Sequence, residues 1–385
     1  MKRFLVLDSF RGLCALAVVM HHSHALRSFT ELAFFKNANY LVEFFFVLSG
    51  FVLYHTYANR LGSVEQLRRF VITRTCRLYP LHVVMLAVFI GFEVLKVVVE
   101  RYGMSFNAPS FTGARAPDEI VPNLLLIQSW WPSFNALSFN YPSWSISVEY
   151  YLYLIFGLIA LALPTQARKV FAAIAVLAFL ALYFKSTLVT DNALKGLGCF
   201  FAGGVTYRVY AKLQSLHLSP LLGSALEVLV LGVIYLIMIY SDTPQDILLS
   251  LLFCVAIWVF AFEAGWVSTL LRTSLFTWLG MLSFSIYMTH AAVIFAMSIG
   301  VMIVAKLTHL PLLIDLPSEI VGVVIRYIDT GSMALDNLLI IIEVAAVLAV
   351  SVLSYRHIEL RGIALGKRWS KDRLTSASLA PRLPE

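Results

Sequence analysis

Arg11 and His22 sit eleven positions apart in the first apolar run of this chain, where a membrane helix would normally carry neither. On an α-helix eleven residues rise about 16 Å and turn about 1100°, which leaves the two side chains within roughly 20° of one line. Asp8 falls close to the same line if the helix extends back to it, whereas His21 and His24 point elsewhere. A cation at one depth with an imidazole further along the same stripe suits proton abstraction or nucleophilic attack, since histidine is the usual general base near neutral pH. The other reading of a lone intramembrane histidine is a satisfied structural contact. An arginine on its stripe favours function.

Five further stretches carry residue types suited to chemistry, ligand binding or close packing. Arg74 and Arg77 lie at i and i+3, hence on one helical face, and each guanidinium is a planar fork suited to phosphate. With Arg68 and Arg69 nearby they would form an anion clamp; ordinary loop charge is the alternative. Glu149 enters an apolar segment within Pro142-Ser143-Trp144-Ser145-Ile146-Ser147-Val148-Glu149. An acid there is costly unless paired, so Glu149, with Ser147 beside it, either pairs structurally or binds a polar acceptor. Ser283, Tyr287 and His290 follow i, i+4, i+7 and share a face. His290 lies about as deep along its helix as His22 does, and two imidazoles at one depth suggest one polar cavity. Tyr355-Arg356-His357-Ile358-Glu359 closes the last apolar run. Glu359 would meet Arg11 or another arginine, a structural salt bridge being the favoured reading. The run Phe44–Phe51 places Ser49-Gly50 in an aromatic wall that allows close helix approach.

The elements that must hold these residues are membrane helices. The 385 residues are 60% hydrophobic and 13% charged, with a mean hydropathy of +0.82; a soluble domain is about 45–50% apolar and about 25% charged. Apolar segments long enough to cross about 30 Å of hydrocarbon fall at about 10–30, 39–58, 78–99, 145–163, 169–187, 193–211, 221–240, 246–263, 279–306 and 337–357. The expected fold is an all-α polytopic integral membrane protein of about ten transmembrane helices. Placing both termini in the cytoplasm puts 20 of the 29 Lys and Arg residues inside, as the positive-inside rule requires. That also accounts for the net charge of +7 through anionic lipid, so no nucleic-acid partner is needed.

The first apolar run has no small-residue cleavage site before His21 and is expected to be retained. Short polar punctuation separates segments at Pro164-Thr165-Gln166 and Ser241-Asp242-Thr243-Pro244. Two long loops are expected outside. Residues 100–144 hold Trp130, Trp131, Tyr141 and Trp144, suited to an interface or to stacking on sugar; residues 307–336 hold Asp315, Glu319, Arg326, Asp329 and Asp336. The membrane domain is expected over 1–362 and a disordered polar tail over 363–385. Cys14, Cys76, Cys199 and Cys254 lack metal-ligand spacing and read as free thiols; no metal is expected.

Taken in order, these stretches resemble the acyltransferase family 3 membrane proteins. Leu7-Asp8-Ser9-Phe10-Arg11-Gly12-Leu13 is similar to that family's opening motif, Arg11 to His22 to its Arg-X10-His pattern, and Arg74 to Arg77 to its Arg-X-X-Arg. Phe45–Phe51, Ser143–Glu149, Ser285–His290 and Tyr355–Glu359 resemble its later motifs, and the likeness runs from about residue 4 to 362. Ser9 stands where glycine is common, Tyr150 replaces a frequent second glutamate, and Leu360-Arg361 lacks a usual proline. No large hydrolase-like domain, such as some relatives carry, is expected after the membrane helices. The resemblance implies ten membrane helices in, for a bacterial chain, the cytoplasmic (inner) membrane. It implies transfer of an acyl group, commonly acetyl from acetyl-CoA, to a carbohydrate or related hydroxyl. It gives His22 as catalytic, with Arg11 and Asp8 on its stripe, and Arg74 and Arg77 as donor contacts. Glu149, Ser147, Tyr287, His290 and Glu359 would then line the cavity or meet a glycan or glycolipid acceptor. Whether His22 acts as base or carries the acyl group stays open. The competing class is a proton-coupled transporter using His22, Glu149 and His290 as a relay, disfavoured by the absence of an internal repeat; a non-catalytic scaffold is the third.

Overall fold

The computed structural model describes residues 2–58, 60–102, 108–240, 246–317 and 324–377. The polar turn at 241–244, Glu319 and the tail beyond 377 lie outside them. In chain order the helices are α1 (Leu5–His22), α2 (Ala33–Lys36), α3 (Leu41–Tyr57), α4 (Val64–Arg101), α5 (Ile120–Leu124), α6 (Ser143–Ala162), α7 (Ala167–Tyr183), α8 (Asp191–Leu213), α9 (Pro220–Tyr240), α10 (Asp246–Ala261), α11 (Trp266–Leu271), α12 (Ser274–Thr308), α13 (Met333–Ser354) and α14 (Leu360–Ala377). Every expected apolar segment overlaps a helix, but the first helix ends at His22, short of the expected limit near residue 30. Seven helices among the described residues are long and apolar enough to cross a membrane: those based on α1, α3, α4, α6, α9, α12 and α13. The other three expected spans differ for two reasons. Helices α7 and α10 have 17 and 16 residues, and α8 carries Asp191, Lys195, Arg208 and Lys212.

The all-α expectation needs one correction. Strands β1 (Leu313–Pro317) and β2 (Val324–Ile328) form an antiparallel hairpin in the loop after α12. The β-branched run Val324, Ile325 and Ile328 favours extended backbone. Asp315 faces Arg326 directly in register, and the guanidinium donates twice to the carboxylate, at 2.7 and 2.8 Å. That pair holds Asp315 below its ordinary carboxylate range.

The chain forms two compact units, 1–51 with 202–352 and 52–201 with 353–385. In the first, α1 and α12 run parallel and cross with backbones touching. A Cβ on Gly12 would lie 2.5 Å from the Leu279 carbonyl carbon, and one on Gly280 would lie 2.3 Å from the Asp8 carbonyl oxygen. Only glycine permits that approach. Ser9 Oγ donates to Leu271 O at 2.6 Å, which ties α11 to the start of α1. The buried Glu227 of α9 accepts from the N–H groups of Gly265 and Ser268, at 2.9 and 3.0 Å, and so satisfies two donors that the N-terminus of α11 would otherwise leave unpaired. Beyond α1 the chain joins the hairpin: Ile328 N–H donates to His24 O and Leu26 N–H to Ile328 O, each at 2.9 Å. Ala25, Ile328 and Ile340 form a small apolar core beneath that junction.

In the second unit α4 is the spine. Its 38 residues make a rod of about 57 Å, longer than the roughly 30 Å hydrocarbon layer. Pro80 lacks an N–H for the Cys76 carbonyl, the usual i−4 acceptor. Gly362 of α14 comes against that carbonyl, where an added Cβ would lie 2.3 Å from the oxygen. At the far end of α4 the buried Glu93 accepts from Arg115 Nη1 at 2.7 Å, from Phe111 N–H at 2.9 Å and from Lys96 Nζ at 3.2 Å, anchoring the long loop ahead of α6. The tail also differs from expectation. Residues 360–377 are helix, because the small faces at Gly362 and Gly366 seat against Cys76 and Thr73 of α4. All four cysteines are free thiols.

Candidate active site

Helix α1 ends at His22, where the backbone turns extended at Ser23. His22 lies against His290 of α12 with ring centroids 5.4 Å apart and planes 13° apart, a parallel stack. The glycine crossing sets this register. His22 stands ten residues past Gly12 and His290 ten past Gly280, so each imidazole is about 15 Å along its helix from the contact. His290 is fully buried, with Nδ1 2.7 Å from Tyr287 O. A backbone carbonyl only accepts, so Nδ1 carries hydrogen, and neutral His290 presents Nε2 as its lone-pair nitrogen. The Tyr287 ring sits 5.8 Å from the His290 ring and 6.0 Å from Phe45. Ser283, a helical turn before Tyr287, is buried as well.

His21 meets His22 edge to face at 4.7 Å and donates through Nδ1 to Phe35 O at 3.1 Å. His24 lies beyond the helix, 5.1 Å from the Tyr327 ring of the hairpin. Burial lowers its imidazole to about 4, with the charges of His21 and Lys36 adding to the effect. The three neighbouring imidazoles thus have separate surroundings, and His22 alone stacks on His290.

A residue outside the sequence motifs enters here. Glu343 of α13 is buried and bonds to Ser23 Oγ, next to His22 in the chain. Ser23 Oγ also lies 2.9 Å from Val19 O. The Ser23 hydroxyl is thus directed at two acceptors, the Val19 carbonyl and a Glu343 carboxyl oxygen, and its hydrogen is shared between them. The signal was an acid inside an apolar 20-mer.

The charged end of the α1 stripe holds Asp8 and Arg11. Asp8 lies within α1, so helical rotation keeps it near the His22 line, and its carboxylate pairs with Arg3 at 2.8 Å, five residues away. Arg11 Nε is buried without a hydrogen-bond partner among the described residues.

In the second unit the expected four-arginine clamp narrows to two. Arg68 and Arg69, at i+3 and i+4 from Glu65, are both committed to its carboxylate at 2.9 Å. Arg74 is enclosed by three aromatic rings, Tyr57, Phe70 and Tyr153, at 5.2, 5.6 and 5.4 Å from its guanidinium carbon. Its Nε is buried with no hydrogen-bond partner among the described residues. Arg77 follows one turn later on α4. The Tyr153 hydroxyl donates to Glu149, and Thr75 and Tyr150 hydroxyls share a bond of 3.2 Å. Ser147, a candidate acceptor contact, is fully buried; its hydroxyl donates to Leu126 O at 2.6 Å and accepts from Ser129 N–H at 3.3 Å. It therefore ties the loop ahead of α6 to that helix. Glu359 is buried in a π-helical turn, Tyr355–Glu359, a local widening often found at functional sites. Among the described residues no three His, Cys, Asp or Glu side chains are placed to hold a metal ion.

Comparison with known proteins bears on this arrangement. Among curated proteins, "Acyltransferase MdmB" of Streptomyces mycarofaciens is 37% identical over 118 residues, 30% of this chain and 27% of that protein. "Protein 2 in picA locus" of Rhizobium radiobacter is 39% identical over 101 residues, 26% of this chain and 50% of that protein. The chain thus spans half or less of the length of these relatives. No solved structure gives a match. The model of the family described as an acyltransferase domain matches residues 4–356, nearly the whole sequence including Arg11, His22, Arg74, Arg77, Glu149 and His290, and on that extent the chain belongs to the acyltransferase family 3.

Proposed function

We propose that this protein is a membrane O-acyltransferase. It takes an acyl group, acetyl being the simplest case, from a cytoplasmic acyl-CoA and delivers it to a hydroxyl of a cell-surface or secreted glycan or glycolipid. In this reading ten helices cross the bacterial cytoplasmic membrane and both termini are cytoplasmic. The observation that carries it is the His22–His290 stack at the end of α1.

Stacked imidazoles in a buried site disfavour two positive charges side by side, so one ring stays neutral and able to accept a proton. His22 takes the proton of the acceptor hydroxyl as its oxygen attacks the thioester carbonyl. The carbon–sulfur bond then breaks, and the proton returns to the departing thiolate. The same atoms allow attack by His22 itself with transfer from an acyl-imidazole. Arg74 and Arg77 serve the donor. Arg74 has an unmet buried N–H and a cage of rings that fixes the plane of its fork, which is the chemistry a phosphate-rich substrate needs. The acyltransferase name of one matched relative supports the reaction class.

The test is acyl transfer in reconstituted vesicles supplied with acetyl-CoA. His22→Ala should insert and fold yet lose transfer, and full activity in that variant would exclude the mechanism. Arg74→Ala combined with Arg77→Ala should raise the donor KM; an unchanged donor response would remove both from donor binding. Mass spectrometry of surface glycans with and without the gene identifies the acyl group and its position.

A further inference from the structure

A cavity of about 440 Å³ lies within the first unit, between α1, the α2–α3 segment, α9 and α10. On α1 it is lined by Phe10, Leu13, Cys14, Ala17 and Met20, the i, i+3, i+4 stripe of one face. Its volume falls in the range of ligand pockets, about 300–1,000 Å³, but its lining offers almost nothing to a sugar, a phosphate or a nucleotide. Phe44, Phe253, Leu231 and Met238 complete the walls. From Phe10 to Met20 the cavity follows α1 for about 15 Å, half of a hydrocarbon layer of about 30 Å. A single lipid tail in one leaflet has that length and that chemistry.

Polar groups lie just beyond the Met20 end of the cavity. His21 is the next residue on the same stripe, and its Nδ1–H is held by the carbonyl of Phe35, which itself lines the cavity. Asn37 Nδ2 donates to Met238 O at 2.7 Å, pinning the α2 segment across that end. Beyond His21 the next ring is His22, 4.7 Å away. We infer that the cavity seats the hydrocarbon tail of a lipid-borne acceptor, whose hydroxyl-bearing head group emerges at His21 and reaches His22. The acceptor part of this inference rests on the acyl-transfer reading. Successive helical residues point about 100° apart, so the cavity axis ends at His21 and not at His22. A fatty acyl chain of the donor lying in the cavity would hold its own carbonyl at His21, on the wrong side of α1. A head group of sugar size is longer than the 4.7 Å between the two ring centroids and so carries its hydroxyl past His21 to His22.

The test is photolabelling of the full-length protein in nanodiscs with diazirine-tailed probes, mapped by peptide mass spectrometry. The probes are a glucosyl diacylglycerol, a phosphatidylglycerol and a long-chain acyl-CoA. The glucosyl lipid should label the Phe10–Met20 segment and α9 around Met238. Ala17→Trp, which fills the cavity, should reduce that labelling roughly tenfold, the factor for about 1.4 kcal/mol. Labelling at the outward-facing Leu229 and Leu236 of α9, both exposed, should not change. If Ala17→Trp does not fold, competition by unlabelled glucosyl lipid in the unaltered protein decides the question: cavity labelling must fall while Leu229 labelling persists. Equal labelling of cavity and outward-facing sites, equal labelling by phosphatidylglycerol, or cavity labelling by the acyl-CoA alone would each overturn the inference. His22→Ala should keep the cavity labelling. Loss of transfer and loss of labelling therefore report separately on the reaction and on the cavity.

Discussion

His22 and His290 stack at 5.4 Å because Gly12 and Gly280 let their helices touch ten residues earlier. An added methyl at Gly280 meets Asp8 O at 2.3 Å, against backbone that cannot rotate away. Gly280→Ala should therefore cost about 1–3 kcal/mol as overpacking and lower kcat by separating the imidazoles. Gly300 lies on the same helix, and a methyl added there would meet nothing within 4 Å. Gly300→Ala should be neutral or stabilising by up to about 1 kcal/mol. Thermal melts in detergent and single-turnover transfer measure both. Equal effects of the two substitutions would remove the crossing as the cause.

The cage around Arg74 makes a second prediction. Lysine keeps the charge but loses the planar fork and most of the stacking on Tyr57, Phe70 and Tyr153. Arg74→Lys should forfeit about 1–2 kcal/mol of cation–π contact and raise the donor KM roughly tenfold. Tyr153→Phe keeps its ring over Arg74 while removing the hydroxyl from Glu149, so it should leave donor KM near its starting value. If Tyr153→Phe raises the donor KM as much as Arg74→Lys does, the hydroxyl bond to Glu149, not the ring cage, governs the arginine.

Much of this arrangement is legible in the sequence, and the exceptions are instructive. Helical rotation separates His22 from His21 and His24, and matching depth links it to His290; both follow from fixed helix geometry. Asp8 lies on α1 as its place near that stripe requires, but its carboxylate is paired with Arg3, a partner close in sequence that the stripe does not reveal. Local pairing likewise takes Arg68 and Arg69 from the clamp. Single-segment reasoning does not reveal such competition, since charges choose partners in three dimensions. The hairpin escapes a sequence reading because strands of five residues carry little period-2 signal beside long apolar helices. The neighbours of Ser147 suggest a cavity position, whereas its hydroxyl is used to satisfy backbone groups of the loop.

Glu343 supplies a third test. Its bond with Ser23 fixes the residue immediately after His22. Glu343→Gln keeps a hydrogen-bonding group of the same length and should retain most stability and transfer. Glu343→Ala leaves the Ser23 side without its second partner and should cost about 1–3 kcal/mol, with kcat falling more than KM rises. If Glu343→Gln is as impaired as Glu343→Ala, a role limited to holding Ser23 is wrong, and the carboxyl group itself matters.

His24 links the end of α1 to the hairpin and should make that junction sensitive to acid. Its folded pKa of about 4 lies below the ordinary 6.5 because the ring is largely buried, with His21 and Lys36 as positive neighbours. Glu31 faces the same region but is paired with Lys36 at 2.9 Å, and the opposite face is the Tyr327 ring. The unfolded chain therefore binds a proton between pH 6.5 and 4 that the folded chain does not. The stabilisation from neutral His24 is complete above about pH 6.5 and is lost as pH falls toward 4, by up to roughly 3 kcal/mol. His24→Gln cannot titrate, so between pH 7 and 4 its melting temperature should fall less steeply than that of the unaltered protein. Parallel pH slopes for the two proteins would mean that the acid sensitivity lies elsewhere.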